Sequence, residues 1–153
     1  MSTGQAEALT LRLERAIPAP PERVYAAWTD PEMMDRWMSP RGLTVIEAEM
    51  DLRVGGQWRV VMREPGGATH EAGGTYREVT PPHRLVYTHS WTASGGGRTP
   101  QTLLTVEIEP AGTGTRVVLT QVGFEDAGSR DGHVEGWGSS LDRLEELFGG
   151  SEG

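Results

Sequence analysis

The chain has 153 residues, a formal net charge of −8 and no Cys, and all 14 of its basic residues are Arg. Without Cys it can form no disulfide framework, thiolate nucleophile or Cys-ligated zinc site, and without Lys it has neither a Schiff-base lysine nor a Walker A phosphate loop. The acidic balance argues against nucleic acids and anionic membranes as partners, because both attract basic patches.

Length and hydropathy indicate one domain without a membrane span. A chain of this size is typical of a single domain with one core. Residues 1–10 lack a basic segment followed by an apolar run, and no apolar stretch approaches the roughly 20 residues of a membrane helix, so we expect a cytoplasmic protein. We predict a flexible N-terminal tail at 1–8, one domain at 9–148 and a flexible C-terminal tail at 149–153. The lack of Lys and Asn, whose codons are AT-rich, suggests a bacterial genome.

The first elements are a strand and two short helices. Apolar residues alternate with polar ones over 9–17, which indicates a half-buried strand. Pro20 and Pro21 follow it and suit the first turn of a helix, because proline lacks the N–H that would be unpaired there. Asp30 is placed to cap a second short helix over Pro31–Trp37.

The middle of the chain has the alternation typical of strands in antiparallel hairpins. Turns rich in glycine or proline separate each apolar run from the next. The pair Gly73-Gly74 lies inside the third of these runs and predicts a bulge or a sharp bend. The predicted strands cover 44–52, 57–62, 70–79, 85–91, 104–108 and 117–121.

The C-terminal segment has the periodicity of a helix of about four turns. Asp131 is its predicted N-cap, and Gly149-Gly150 its predicted end. Gly136 and Gly138 inside the helix each cost up to about 1 kcal/mol relative to Ala, which suggests that the backbone there lies close to another part of the protein. The apolar stripe, spaced 3, 4, 3 and 4 residues apart, comprises Val134, Trp137, Leu141, Leu144 and Phe148.

Short segments along the chain resemble those of a known family. The predicted elements, consecutive strands with helices at both ends of the chain, also indicate an α+β fold. The segments are PPERVY at 20–25, WTDP at 28–31, Trp37, DLRVGGQWR at 51–59, GTY at 74–76, PPHRLV at 81–86, GTR at 114–116, GF at 123–124 and GW at 136–137. Together they resemble the START-like, Bet v 1-like (SRPBCC) superfamily, in the branch named for the C-terminal domain of activators of Hsp90 ATPase. The resemblance covers roughly 9–148.

The resemblance implies a helix-grip fold, in which a curved antiparallel sheet of about six or seven strands wraps around the long C-terminal helix. Two short helices follow the first strand. A cavity between sheet and helix usually takes a hydrophobic or aromatic ligand. Relatives include lipid carriers, plant hormone receptors, polyketide cyclases, antibiotic-resistance proteins and chaperone activators, so the fold alone does not define the function.

The inner faces of the predicted elements have the side chains that such a cavity requires. An empty void of 300 Å³ would cost roughly 7 kcal/mol at about 24 cal/mol per Å³, so a pocket must hold water or be closed by large side chains. We therefore expect aromatic and apolar lining residues with a few polar ones. The candidates are Trp58, Val60, Met62, Tyr76, Tyr87, His89, Trp91, Leu104, Val106, Leu119, Gln121, Trp137 and Leu141.

Each candidate also has a purely structural interpretation. The tryptophans, Trp28 and Trp137 above all, can be packed core residues, and His89 can be a hydrogen-bonded strand histidine. The histidines lack metal-binding spacing such as His-x-x-x-His, so we expect neither a metal nor another cofactor.

Four functions are compatible with the sequence. The first is binding of a small hydrophobic or aromatic molecule without covalent chemistry. The second is a cyclase- or hydrolase-like enzyme with His89 as acid or base, helped by Tyr76, Tyr87 or Glu78. The resemblance adds a partner protein of an Hsp90-type chaperone and a self-resistance protein that sequesters a toxic metabolite. An exposed outer sheet face could support a homodimer.

Overall fold

The computed structural model describes residues 10–37, 42–92, 99, 101–124 and 126–149. Leu9, the predicted tail at 1–8 and most of the predicted tail at 149–153 lie outside these ranges. In chain order the elements are β1 (Thr10–Ile17), α1 (Pro21–Thr29), α2 (Pro31–Trp37), β2 (Thr44–Met50), β3 (Gln57–Arg63), β4 (Thr69–Thr80), β5 (Arg84–Trp91), β6 (Thr102–Ala111), β7 (Gly114–Val122) and α3 (Ala127–Gly149).

The strands form one seven-stranded antiparallel sheet in the order β1-β7-β6-β5-β4-β3-β2. Strands β2 to β7 follow one another as hairpins, whereas β1 pairs with β7, for example Leu13 with Leu119. The helices α1 and α2 therefore connect the two edges of the sheet. This arrangement confirms the predicted α+β helix-grip fold.

Helix α3 packs its apolar stripe against the sheet. Leu141 and Leu144 are fully buried, and Trp137 and Phe148 nearly so. Arg15 on β1 also stabilises the position of this part of the helix, because its Nη1 donates a hydrogen bond to Asp142 Oδ1 at 2.5 Å. The C-terminal half of α3 is thus the helical part of the core.

Helix α3 begins one turn earlier than the sequence indicates. The Asp126 carboxylate accepts a hydrogen bond from the backbone N–H of Ser129 at 2.7 Å, which makes Asp126 the N-cap. The predicted cap, Asp131, is wrong: it lies inside the helix, and Arg130 Nε donates to its carboxylate at 3.0 Å. The poor helix propensity of the glycines in this turn hides the true start. No helix in the described ranges is long and apolar enough to cross a membrane.

The glycine pair on β4 marks a close contact between strands. Of the predicted bulge or sharp bend, the bulge is wrong in position, because the register shift between β4 and β5 lies between Tyr76 and Glu78. A Cβ added at Gly74 would lie 1.9 Å from the carbonyl oxygen of Thr88 on β5. Only glycine allows the backbones of β4 and β5 to approach this closely.

We predict that Gly74→Ala lowers the free energy of unfolding by about 1–3 kcal/mol or more, because β4 and β5 must separate to admit the methyl group. Gly66→Ala is the matched control, since a Cβ there meets nothing within 4 Å, and we expect a change within about 0.5 kcal/mol. Urea denaturation of both variants measures the difference. Equal stabilities would contradict the assigned role of Gly74.

Candidate functional site

A cavity of about 470 Å³ lies between the sheet and α3. Its volume falls within the range of about 300–1,000 Å³ that small-molecule sites occupy. One side is formed by β3, β4 and β5, and the other by the N-terminal half of α3. Its lining residues are Trp28, Met34, Leu43, Trp58, Val60, Met62, His70, Ala72, Tyr76, Tyr87, His89, Trp91, Gly128, Ser129, Gly132, His133, Gly136, Trp137 and Ser140.

The sheet side is an aromatic wall made of Tyr76, Tyr87, Trp58, His89 and Trp91. Neighbouring rings in this order have centroids 5.8, 5.3, 5.5 and 5.4 Å apart. Strand alternation explains the arrangement, because side chains two residues apart on β5 point to the same face of the sheet. The wall presents a continuous apolar surface with few polar atoms.

The helix side is a glycine face. Gly128, Gly132, Gly136 and Ser140 recur every four residues and therefore lie on one side of α3. A Cβ added at Gly132 would meet nothing within 4 Å. The missing side chains leave open space opposite the aromatic wall. Gly138 lies outside the cavity, and its carbonyl oxygen accepts a hydrogen bond from Arg15 Nη2 at 3.4 Å.

Each tryptophan is held by a hydrogen bond from its indole N–H. Such bonds fix the orientation of a large ring whose N–H is expensive to bury alone. The acceptors are Tyr87 Oη for Trp28 (3.2 Å), the Ala27 carbonyl for Trp37 (2.9 Å), the Thr88 carbonyl for Trp58 (3.0 Å), His133 Nε2 for Trp91 (3.1 Å) and Gln121 Oε1 for Trp137 (3.0 Å).

Most of the predicted lining residues do line the cavity, and the rest lie in the adjoining core. Those on the cavity are Trp58, Val60, Met62, Tyr76, Tyr87, His89, Trp91 and Trp137. Those in the adjoining core, away from the cavity, are Leu104, Val106, Leu119, Gln121 and Leu141. The latter are fully buried in the core, where α1 contacts β6 and β7. Gln121 acts indirectly, because it holds the Trp137 ring and donates to Thr102 Oγ1 at 2.8 Å.

Sequence reasoning missed several lining residues. Trp28 is a packed core residue, as the sequence indicates, and it also forms part of the cavity wall. Gly128 and Ser129 belong to the extra turn of α3. The four-residue spacing of the glycines is visible in the sequence and could have indicated the glycine face. His70 and His133 had no sequence signal of their own.

Two histidines meet at one end of the aromatic wall, with ring centroids 5.8 Å apart. His133 Nδ1 lies 2.8 Å from the Ser129 carbonyl oxygen, so Nδ1 carries the proton and Nε2 accepts from Trp91. His89 is buried, and desolvation, with a smaller effect of His133, lowers its pKa to about 3. His89 is therefore neutral at physiological pH.

The other groups considered for acid–base chemistry stay protonated or point elsewhere. Burial raises the pKa values of Tyr76 and Tyr87 well above the ordinary value for tyrosine. Glu78 does not line the cavity, and its carboxylate accepts a hydrogen bond from Arg84 Nε at 3.1 Å. Within the described part of the chain, no three His, Asp or Glu side chains are grouped to hold a metal ion.

Residues 18–149 match the family model of activator of Hsp90 ATPase homolog 1-like proteins. The chain belongs to this family. It thereby falls within the START-like, Bet v 1-like superfamily, whose helix-grip fold the sheet and α3 display. A comparison with curated proteins yields no match.

Solved structures of bacterial proteins share the fold over nearly the whole chain. A protein from Chromobacterium violaceum is 33% identical, with a TM-score of 0.80 over 91% of this chain and 96% of its own. The AHSA1 protein from Silicibacter pomeroyi is 30% identical, with a TM-score of 0.82 over 90% and 96%. A protein from Nitrosomonas europaea is 29% identical, with a TM-score of 0.78 over 95% and 97%.

We predict that His89 makes the folded protein sensitive to acid. The unfolded chain takes up a proton at His89 below its ordinary pKa of 6.5, whereas the folded chain does not until about pH 3. The free energy of unfolding should therefore fall between these values, by up to about 1.4 kcal/mol per pH unit from this group. Urea denaturation at several pH values should show a steeper loss for the parent than for His89→Phe. Parallel curves would contradict the buried neutral state.

Proposed function

We propose that this protein binds a small hydrophobic or aromatic molecule, without covalent chemistry, in the cavity between the sheet and α3. The observation that carries the proposal is the pairing of the aromatic wall with the glycine face. Large rings form one side, and glycines take up part of the opposite side, where a Cβ at Gly132 would meet nothing within 4 Å. This pairing supports binding of a flat apolar molecule.

An empty cavity of this size would be energetically unfavourable. At about 24 cal/mol per Å³, an empty space of 470 Å³ would cost roughly 11 kcal/mol. Net stabilities of folded domains are only about 5–15 kcal/mol. The space must therefore hold water or a ligand. Replacing water on mostly apolar walls by an apolar molecule is favourable by about 25 cal/mol per Å² buried.

The titratable groups favour binding over proton transfer. A general base works best when its pKa lies near the operating pH. Burial keeps the pKa of His89 near 3 and keeps both lining tyrosines protonated, so these groups are poor bases and weak acids at neutral pH. They are suited instead to hydrogen bonds that orient a ligand.

Intrinsic fluorescence gives a direct test, because the cavity is lined by Trp28, Trp58, Trp91 and Trp137 among the chain's five tryptophans. We expect naphthalene-sized aromatic probes to quench or shift this emission saturably, with Kd below about 1 mM. Native mass spectrometry should show one probe per chain. Absence of binding across a panel of lipids and aromatic compounds would contradict the proposal.

Gly132→Leu should block the cavity, because its side chain enters the open space opposite the wall. We expect probe binding to weaken by about tenfold or more, with no loss of stability, since replacing a helix glycine is itself favourable by up to about 1 kcal/mol. Gly138→Leu is the matched control, because Gly138 lies on α3 outside the cavity. Equal affinities for both variants would show that the probes bind elsewhere.

A further inference from the structure

Polar groups gather at the His89 end of the cavity. A second cavity of about 130 Å³ lies behind the same residues, and both cavities share His89, Trp91, Ser129 and His133 as lining. The residues that line only the smaller cavity are Ser90, Thr99, Thr102 and Phe124, of which three carry hydroxyl groups. This end of the main cavity is therefore where a polar ligand group has both room and suitable surroundings.

Most polar atoms at this end already have partners inside the protein. His133 is bonded at both ring nitrogens, to Trp91 and to the Ser129 carbonyl. Thr102 Oγ1 donates to the His89 carbonyl oxygen at 3.1 Å and accepts from Gln121. Internal bonds thus fix the surroundings of the His89 ring.

The His89 imidazole differs from these neighbours. The residue is only 7% exposed, and no hydrogen bond joins either ring nitrogen to another described residue. The fully buried side-chain polar atom without a partner among the described residues is Tyr25 Oη, so the His89 ring nitrogens are accessible from the cavities that the residue lines. A ring that faces the cavity without a protein partner binds water when no ligand is present, because a polar group left unpaired in the interior costs about 1–3 kcal/mol. An apolar ligand that displaced this water would leave the imidazole unsatisfied.

We infer that the bound molecule carries an uncharged hydrogen-bonding group, a hydroxyl or a carbonyl, which bonds to the His89 ring while its flat apolar body lies against the aromatic wall. This inference rests on the proposed function and adds the chemical class of the ligand. His89 is the specificity-determining residue, because an imidazole that offers one donor and one acceptor matches a hydroxyl group.

The described lining favours an uncharged group. It contains no carboxylate and no guanidinium, and its other two imidazoles, His70 and His133, already have partners inside the protein. Burying an unpaired ion is far more costly than burying a hydroxyl that has a partner. The backbone N–H groups at the start of α3 stabilise a bound anion only weakly. Comparison with an anionic probe tests this expectation directly.

The experiment compares three probes of one shape: 2-naphthol, 2-methylnaphthalene and 2-naphthoate. Affinities are measured by tryptophan fluorescence at neutral pH. In the parent protein we expect 2-naphthol and 2-methylnaphthalene to bind, and 2-naphthoate to bind more weakly than either. If 2-naphthoate binds tightest, the inference is wrong. If none of the three binds, the inference fails with the proposed function for this ligand class.

Two variants isolate the contribution of His89. His89→Phe keeps a ring but removes both nitrogens, and it should reduce the preference for 2-naphthol over 2-methylnaphthalene by about tenfold. His83→Phe is the matched control, because His83 lines neither cavity and its Nδ1 lies 3.4 Å from the Ile108 carbonyl oxygen; its preference should equal that of the parent. An unchanged preference in His89→Phe would overturn the inference but leave the proposed function intact.

A measurement on the parent protein covers the case in which His89→Phe does not fold. Nitrogen-15 spectra of the histidine rings should show His89 resonances that move on addition of 2-naphthol and move less with 2-methylnaphthalene. Equal shifts with both probes would contradict a hydrogen bond to the ring.

Discussion

Hydrogen bonds from the indole N–H groups keep the interior open. Each of these bonds ties a large ring to another part of the fold: Trp28 on α1 to β5, Trp137 on α3 to β7, and Trp91 on β5 to α3. A ring that turned inward to fill the cavity would leave its N–H without a partner, at a cost of about 1–3 kcal/mol. Four of the five tryptophans are therefore walls of the cavity, although their size would suit them to fill it.

The two halves of α3 have different roles. The C-terminal half supplies Leu141 and Leu144, which are fully buried, and carries the ion pair of Asp142 with Arg15. The N-terminal half supplies the glycine face and His133, and its glycines weaken the helix by up to about 1 kcal/mol each. The Asp126 cap and the packed C-terminal half offset this loss. The site is thus built on the part of the helix that contributes least to the core.

Much of the fold follows from periodicity, but the position of the cavity does not. Strand alternation predicts that Trp58, Tyr87 and His89 point inward, and all three line the cavity. The same alternation places Leu119 inward, yet Leu119 is fully buried in the core and does not line the cavity. Alternation identifies the face of a strand, whereas the line along which a helix touches that face depends on long-range packing.

The glycines of α3 illustrate a second limit of sequence reasoning. Gly136 and Gly138 suggest a close backbone approach, but the structure puts them to different uses: Gly136 faces the cavity and Gly138 lies on the Arg15 side. Low helix propensity also hid the turn that Asp126 caps. Helix propensity gives the energetic cost of a glycine in a helix but not the reason for its presence. On the cavity side of α3, that reason is the space left by the missing side chain.

We propose that four tryptophans border a space that a flat aromatic molecule can enter. The five indole N–H signals in a proton–nitrogen correlation spectrum test it most directly, because four belong to the cavity and that of Trp37 to the core. Titration with 2-naphthol should move the signals of Trp28, Trp58, Trp91 and Trp137 and leave that of Trp37 least changed. Saturable binding with those four signals unmoved would contradict the claim.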